Sequence, residues 1–342
     1  MLQKISGISV ERIVATVPKQ CLTLMEYAPD LLTAKTARKM SMVTGFNSLR
    51  ITPKDMTFTN LALDAALNII SYNTYSEAGS EEAVDIGAIV VVTQTAQYVL
   101  PATSHILQER LGLSASTICL DINEGCSGFV TGLYIASLLV KQLGGKKVLL
   151  CVGDTVSKLI APDDRSTKCV FGDAATAALI APNVATVAEE NQFIFQFSSH
   201  GDKADKIEME NNHIVNESKH EGYFYMDGTE VMKFTMVEVI ERVNAFLAEV
   251  KLSKDEIDLW AFHQANKIIV SSLATSLGLS EDKAPFTACE IGNTSSASIP
   301  LLLAMLKSRL ASVLCIGFGV GLSTGICLLN LSETTFCGVR EI

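Results

Sequence analysis

The sequence has little of what nucleic-acid, membrane or disulfide-built proteins need. It carries 27 Lys+Arg against 37 Asp+Glu, a formal net charge of -10. The basic residues form no run, so the phosphate-neutralising footprint of a nucleic-acid binder is missing. No apolar run approaches the roughly 20 residues of a bilayer-spanning helix. The opening stretch MLQKISGISVERIVATVPK alternates apolar and polar residues and lacks the continuous apolar core of a secretory signal, so it reads as a strand. The 9 cysteines are odd in number and irregularly spaced, most of them inside strand-like runs such as VLLCVGD and VLCIGFG. With no CxxC pair and no histidine cluster, they read as reduced thiols without a disulfide framework or metal site. Prolines are few, and 48% hydrophobic against 19% charged residues exclude a disordered chain. The expectation is a soluble, cytoplasmic, globular protein with no nucleic-acid partner and no membrane span.

What is present is a duplication. At 342 residues the chain is long for one domain. VDIGAIVVVTQTAQYVLPATSHILQERLGLS in the first half has the same order of signals as DEIDLWAFHQANKIIVSSLATSLGLS in the second. After Asp121-Ile122 come Gly125-Cys126-Ser127, a helix to about Leu143, and the strands KKVLLCVGD and FGDAATAALIA. After Glu290-Ile291 come Gly292-Asn293-Thr294, a helix to about Leu310, and the strands ASVLCIGFG and VGLSTGICLL. The expected fold is α/β, with two duplicated β/α halves, 1–184 and 185–342, each built on a core of parallel strands and stacked in layers of helices and sheets.

Superimposing the halves places Cys126 opposite Asn293, and Thr93-Gln94 opposite His263-Gln264. Residues at strand ends and helix starts related in this way converge near the internal axis, where ligand sites of α/β sheets lie. If Cys126 begins its helix, unpaired N-H groups and the helix dipole favour the thiolate; the competing reading is a small buried core thiol. His263 reads either as a core histidine or as a donor to a substrate oxygen. Asn293 reads either as an N-cap or as a second donor. The glycines of GFGVGLSTG make a tight turn or let backbone N-H groups approach a carbonyl. Glu124 would raise the thiol pKa if it faced the pocket. It is expected to point away, at a dimer interface or paired with a nearby donor.

The motifs DINEGCSGF, FHQAN, GNTSSASIP and FGVGLSTG, with VVTQTAQYVLPATSHILQERLGL, DDRSTKCVFGDAATAALI and MDGTEVMKF, resemble the β-ketoacyl-acyl carrier protein synthase III-like branch of the thiolase superfamily over nearly the whole chain. The resemblance implies a thiolase-like fold with mixed sheets, a homodimer, and a Cys-His-Asn triad of Cys126, His263 and Asn293 below a tunnel for a phosphopantetheine arm. Cys126 would take an acyl group, with its own N-H and that of Val320 as oxyanion donors. His263 and Asn293 would bind a malonyl-type thioester, whose decarboxylation gives the carbanion that forms a β-ketoacyl product. Substrate-binding roles would fall to Arg165, Leu100, Asn266 and Gly321, with acyl-CoA or acyl carrier protein thioesters as substrates and no metal or other cofactor.

The chain departs from the family pattern in several places. Lys39 and Val43 stand where acetyl-CoA-using relatives carry Trp and Arg, which favours a carrier protein or an unusual CoA thioester as donor and a specialised lipid, polyketide-like or surface-glycan pathway. Val320 replaces a usual Gly, and Leu100 replaces a frequent aromatic at a position that gates the partner's acyl pocket. Lys267 is a candidate contact for an acidic carrier. The alternatives are a same-fold acyltransferase acting without decarboxylation and a non-catalytic partner subunit. A 3-hydroxy-3-methylglutaryl-CoA synthase-like reading ranks low, because Gln94 stands where that reaction needs a Glu. The polar segment 198–221 reads first as a solvated surface excursion and second as a cover over the tunnel mouth or a partner-docking loop. His200, His213 and His220 in it are too irregularly spaced for a metal.

Overall fold

Strand Ile86–Val92 shows how the architecture follows from a two-residue period. All seven of its residues are buried. Ala88, Val90 and Val92 face one cluster, shared with Phe129, Leu133, Ile299 and Leu302. Ile89 and Val91 face another, shared with Phe58, Leu61 and Ala65. Successive side chains of a strand point to opposite faces, so a strand covered on both sides is apolar throughout. Leu259–Phe262 and Val313–Gly319 repeat the pattern, with Ala261, Val313 and Cys315 inside and Trp260, Phe262, Leu314 and Ile316 facing outward helices. The computed structural model, which describes residues 1–71, 84–183, 192–211, 214, 219–306 and 308–342, thus stacks helix, sheet, helices, sheet and helix. The expected boundary at 184/185 and His213 lie outside the described residues.

The first sheet runs in the order Thr335–Glu341, Ile8–Val17, Ala174–Pro182, Lys147–Asp154, Ile86–Val92, Ile118–Ile122. The second runs Gln3–Ile5, Phe193–Ser199, Ser323–Leu329, Val313–Gly319, Leu259–Phe262. Four strands of each occupy corresponding places, which is the duplication in three dimensions. The termini cross over: the first strand joins the second sheet and the last strand joins the first. The sheets are mixed, as the resemblance implies, and the parallel core read from the alternation of strands and helices covers only part of each. Ile86–Val92 is parallel to both neighbours, and Leu259–Phe262 to Val313–Gly319, but Ala174–Pro182 and Ser323–Leu329 run antiparallel to theirs. A strand buried on both faces has the same apolar pattern in either direction, so the sequence carries no sign of this.

Helix Gly128–Gln142 lies between the sheets. A Cβ at Gly128 or Gly132 would meet a methyl of Val92 at 2.6 Å, so the two glycines set how closely helix and strand approach. Its counterpart, expected to reach about Leu310, is the shorter helix Ser298–Ala304 behind a 3-10 turn at Ser295–Ala297. The carboxyl ends of Ile86–Val92, Lys147–Asp154, Leu259–Phe262 and Val313–Gly319 deliver Gln94, Asp154, His263 and Val320 to one place.

Candidate active site

Cys126 lines a cavity of about 1180 Å³, whose lining also includes Gln94, His263, Asn266, Asn293, Ser295 and Val320. It follows the edge strand Ile118–Ile122 and precedes the N-cap Ser127, so it sits just outside the helix. The opposing strand passes directly over it: a Cβ at Gly317 would come 2.7 Å from Ser127 Cα, and one at Gly319 2.8 Å from Cys126 Cβ and 3.1 Å from Sγ. The glycines of IGFGVG therefore make room for the cysteine.

The thiol is 9% exposed. Burial, reinforced by the charge of Asp154, pushes its pKa up to about 12, against hydrogen bonds from Ser295 and its own N-H. The expected lowering by the helix is overturned. The first helical amide, Gly128 N-H, already donates to Gly125 O at 2.7 Å, and desolvation outweighs the field of a helix end.

His263 follows the strand Leu259–Phe262, and its N-H donates to Ile316 O at 2.8 Å. Its Nδ1 lies 2.6 Å from Ser298 Oγ, and its ring meets Phe318 edge-on at 5.4 Å. Burial lowers its pKa to about 3, so the ring is neutral. With Nδ1 engaged, Nε2 is the nitrogen left to address the cavity.

Asn293 is fixed through its backbone, donating to Val170 O at 2.9 Å and accepting from Gly172 N at 3.0 Å. A Cβ at Gly172 would fall on the Ile291 carbonyl oxygen, so this approach requires glycine. The Asn293 Oδ1 accepts from Ser295 N-H at 2.9 Å, which orients the amide and leaves its NH2 as donor.

Several residues of the site had no signal that sequence reasoning used. Asp154 is wholly buried and accepts from Gln94 N-H at 2.6 Å and Ser296 Oγ at 2.8 Å, tying the two halves together behind Cys126. Burial raises its carboxyl pKa, opposed by hydrogen bonds from Gln94, Ser296, Ser295 and Thr93. Ser295 bonds Cys126 and holds a left-handed φ of 51°, a cost that packed sites carry for a purpose. In the sequence these residues are an acid and serines without spacing or charge pattern.

Other expected residues fall in different places. Asn266 lines the cavity and caps helix Lys267–Leu277, accepting from Ile269 N-H at 2.9 Å. Leu100, 83% exposed, Arg165 and Gly321 stand outside the lining. Lys39, Val43 and Lys267 are exposed, on helices 34–44 and 267–277. Glu124 accepts from Ser127 Oγ at 2.7 Å. The polar segment is not merely a surface excursion: Ile207–Glu208 pairs with Tyr225–Met226, and Ile207, Met209 and Asn211 wall the cavity. His220 stacks on Tyr225 and meets Glu208 at 3.3 Å, while His200 meets Ser198 Oγ at 3.1 Å. Among the described residues no group of His, Cys, Asp and Glu forms a metal site, and no helix is long and apolar enough to cross a membrane.

The chain is similar to known proteins in both sequence and fold. Residues 120–202 match the family described as 3-oxoacyl-[acyl-carrier-protein] synthase III, and residues 247–331 match its C-terminal family. The chain is 31% identical over 298 residues to a β-ketoacyl-[acyl-carrier-protein] synthase III of Clostridium novyi, covering 84% of this chain and 88% of the relative. It is 34% identical over 278 residues to the Coxiella burnetii protein of that name, covering 80% and 83%. A 3-oxoacyl-(acyl-carrier protein) synthase structure from Burkholderia xenovorans superimposes with a TM-score of 0.90 at 30% identity, covering 100% of this chain and 99% of that one.

Proposed function

Because this chain belongs to the 3-oxoacyl-[acyl-carrier-protein] synthase III family, we propose that it is a condensing enzyme that carries an acyl group on Cys126 and extends it with a malonyl-type thioester. The observation that carries the reading is that Cys126, His263 and Asn293 line one cavity, with Ser298 Oγ engaging His263 Nδ1 and Ser295 N-H engaging Asn293 Oδ1, which leaves Nε2 and the amide NH2 for a substrate.

In the first half-reaction the Cys126 sulfur attacks the donor thioester, a new thioester forms on Cys126, and its proton leaves with the departing thiol. The thiol is neutral at rest, so the driving force comes from stabilising the tetrahedral oxyanion, by the N-H groups of Cys126 and Val320, more than from a standing thiolate. Val320 is held for this role by Ser323 Oγ, which donates to its carbonyl at 2.7 Å.

In the second half-reaction His263 and Asn293 hold the oxygen of the malonyl-type thioester. Gln264 N-H donates to Ser298 Oγ at 3.3 Å, and the serine O-H in turn donates a hydrogen bond to His263 Nδ1, which fits the neutral tautomer with its proton on Nε2. Two neutral donors, Nε2-H and the Asn293 amide, thereby stabilise the enolate left when CO2 departs. The enolate carbon attacks the acyl carbon, the C-S bond breaks, and the sulfur regains a proton.

An acyl carrier protein is the donor this reading favours. Lys35, Arg38 and Lys39 are exposed on helix Ala34–Thr44, which packs against the helix of Lys267 beside cavity-lining Asn266. That places positive charge near the mouth of a protein whose net charge is -10. A homodimer is supported by the edge strand Ile118–Ile122, with Ile118 46% and Leu120 38% exposed, next to exposed Val99 and Leu100; bare apolar edges call for a partner. The test is incubation with acyl-CoA and acyl-carrier thioesters followed by mass spectrometry of Cys126, then addition of malonyl thioester and measurement of CO2. Acylation followed by CO2 release is expected. Acylation with transfer to an oxygen or nitrogen acceptor and no CO2 would replace the reading by the acyltransferase alternative.

A further inference from the structure

Gln94 and Gln264 occupy equivalent places in the two repeats and are used differently. The Gln264 carboxamide is fully engaged, donating to Phe262 O at 2.9 Å and Pro285 O at 3.4 Å and accepting from Thr287 N-H at 2.9 Å. Gln94 is fixed only through its backbone, by the 2.6 Å bond to Asp154. Among the described residues its side-chain amide has no hydrogen-bond partner, yet it lines the cavity. It also lies against the residue preceding the nucleophile: a Cβ on Gly125 would meet Gln94 Oε1 at 2.5 Å and a Val320 methyl at 2.8 Å.

A carboxamide beside the nucleophile has consequences for what Cys126 carries. It offers two N-H donors and an acceptor oxygen. An acyl chain of hydrocarbon alone, packed against it, would strip its water and leave those groups unpaired; a chain bearing an oxygen in reach would satisfy them. We propose that Gln94 is a specificity-determining residue that hydrogen-bonds a hydroxyl on the acyl chain near its thioester carbon, so that the enzyme prefers hydroxyacyl over plain acyl donors. The proposal rests on Cys126 being the acyl carrier.

The probes are the N-acetylcysteamine thioesters of butyrate and 3-hydroxybutyrate, which need neither CoA nor a carrier protein. Initial rates of mass gain at Cys126 are measured for the native protein and for Gln94→Met, which keeps length and removes the amide. The native protein is expected to favour the hydroxyacyl probe by about tenfold, and Gln94→Met to bring the ratio near one. The ratio of two rates on one preparation does not depend on how much of the variant is folded. A native ratio near one, or an unchanged ratio in Gln94→Met, would overturn the proposal while leaving the condensing reading intact. If neither probe nor any CoA or carrier thioester adds mass at Cys126, both fall together.

Discussion

The hydroxyls of Ser127 and Ser323 meet at 2.7 Å across the junction of the two repeats. Ser127 also donates to Glu124, and Ser323 donates to the Val320 carbonyl, each at 2.7 Å. Each hydroxyl has a single proton, so at most two of these three contacts are hydrogen bonds at one time, and together they form a polar line from Glu124 to the turn at Val320. Glu124 ends this line through Ser127, two residues before Cys126.

Breaking the line at its two ends should have unequal effects. Glu124→Gln keeps an acceptor for Ser127 and is expected to leave turnover within about twofold. Ser323→Ala frees the Val320 carbonyl and is expected to slow Cys126 acylation about tenfold, the worth of one such bond. Rapid-quench mass spectrometry measures both; a Glu124→Gln loss as large as that of Ser323→Ala would show that the acid acts by its charge.

The two half-reactions should separate genetically. Cys126→Ala removes the sulfur and abolishes acyl transfer. His263→Ala removes one of two enolate donors and is expected to cut CO2 release about 100-fold or more while self-acylation persists. Measuring both on one preparation checks this, and condensation at the native rate in either variant would sink the triad.

His263 should make stability depend on acid. Its pKa of about 3 in the fold lies below its ordinary 6.5. Between those values the unfolded chain binds a proton that the folded ring refuses. Stability from this residue is present above about pH 6.5 and lost as pH falls towards 3, by about 1.4 kcal/mol per pH unit. Urea midpoints from pH 7 to 4.5 should fall less steeply in His263→Gln than in the native protein.

The raised thiol pKa predicts slow alkylation. Well below a pKa of about 12, the thiolate fraction grows about tenfold per pH unit. Iodoacetamide should label exposed Cys21 before buried Cys126 at pH 7, and the Cys126 rate should climb with that slope to pH 9. A rate that levels off near pH 7 would reveal a thiolate stabilised in solution.

The readable part of this protein was what repeats. Gly125-Cys126 and Gly292-Asn293 sit at matching loops, and His263 at the end of a strand, so period and order located them. The direction of the strands was not readable, because Ala174–Pro182 is buried on both faces. The thiol's shift was not readable either, since it depends on burial from Gly317, Gly319 and Asp154, which come from distant parts of the chain. The wall formed by Ile207 and Met209 was hidden by the polarity of the residues around them.

A neutral cysteine and a neutral imidazole in one cavity make the resting protein chemically quiet. Peroxide and small indiscriminate electrophiles attack thiolates, and with its pKa pushed up to about 12 Cys126 offers almost none near neutral pH. Oxidative damage should then fall on exposed Cys21 first and spare this one. A covalent inhibitor would need to resemble the acyl donor closely enough to be held in place, because warhead reactivity alone finds no partner here.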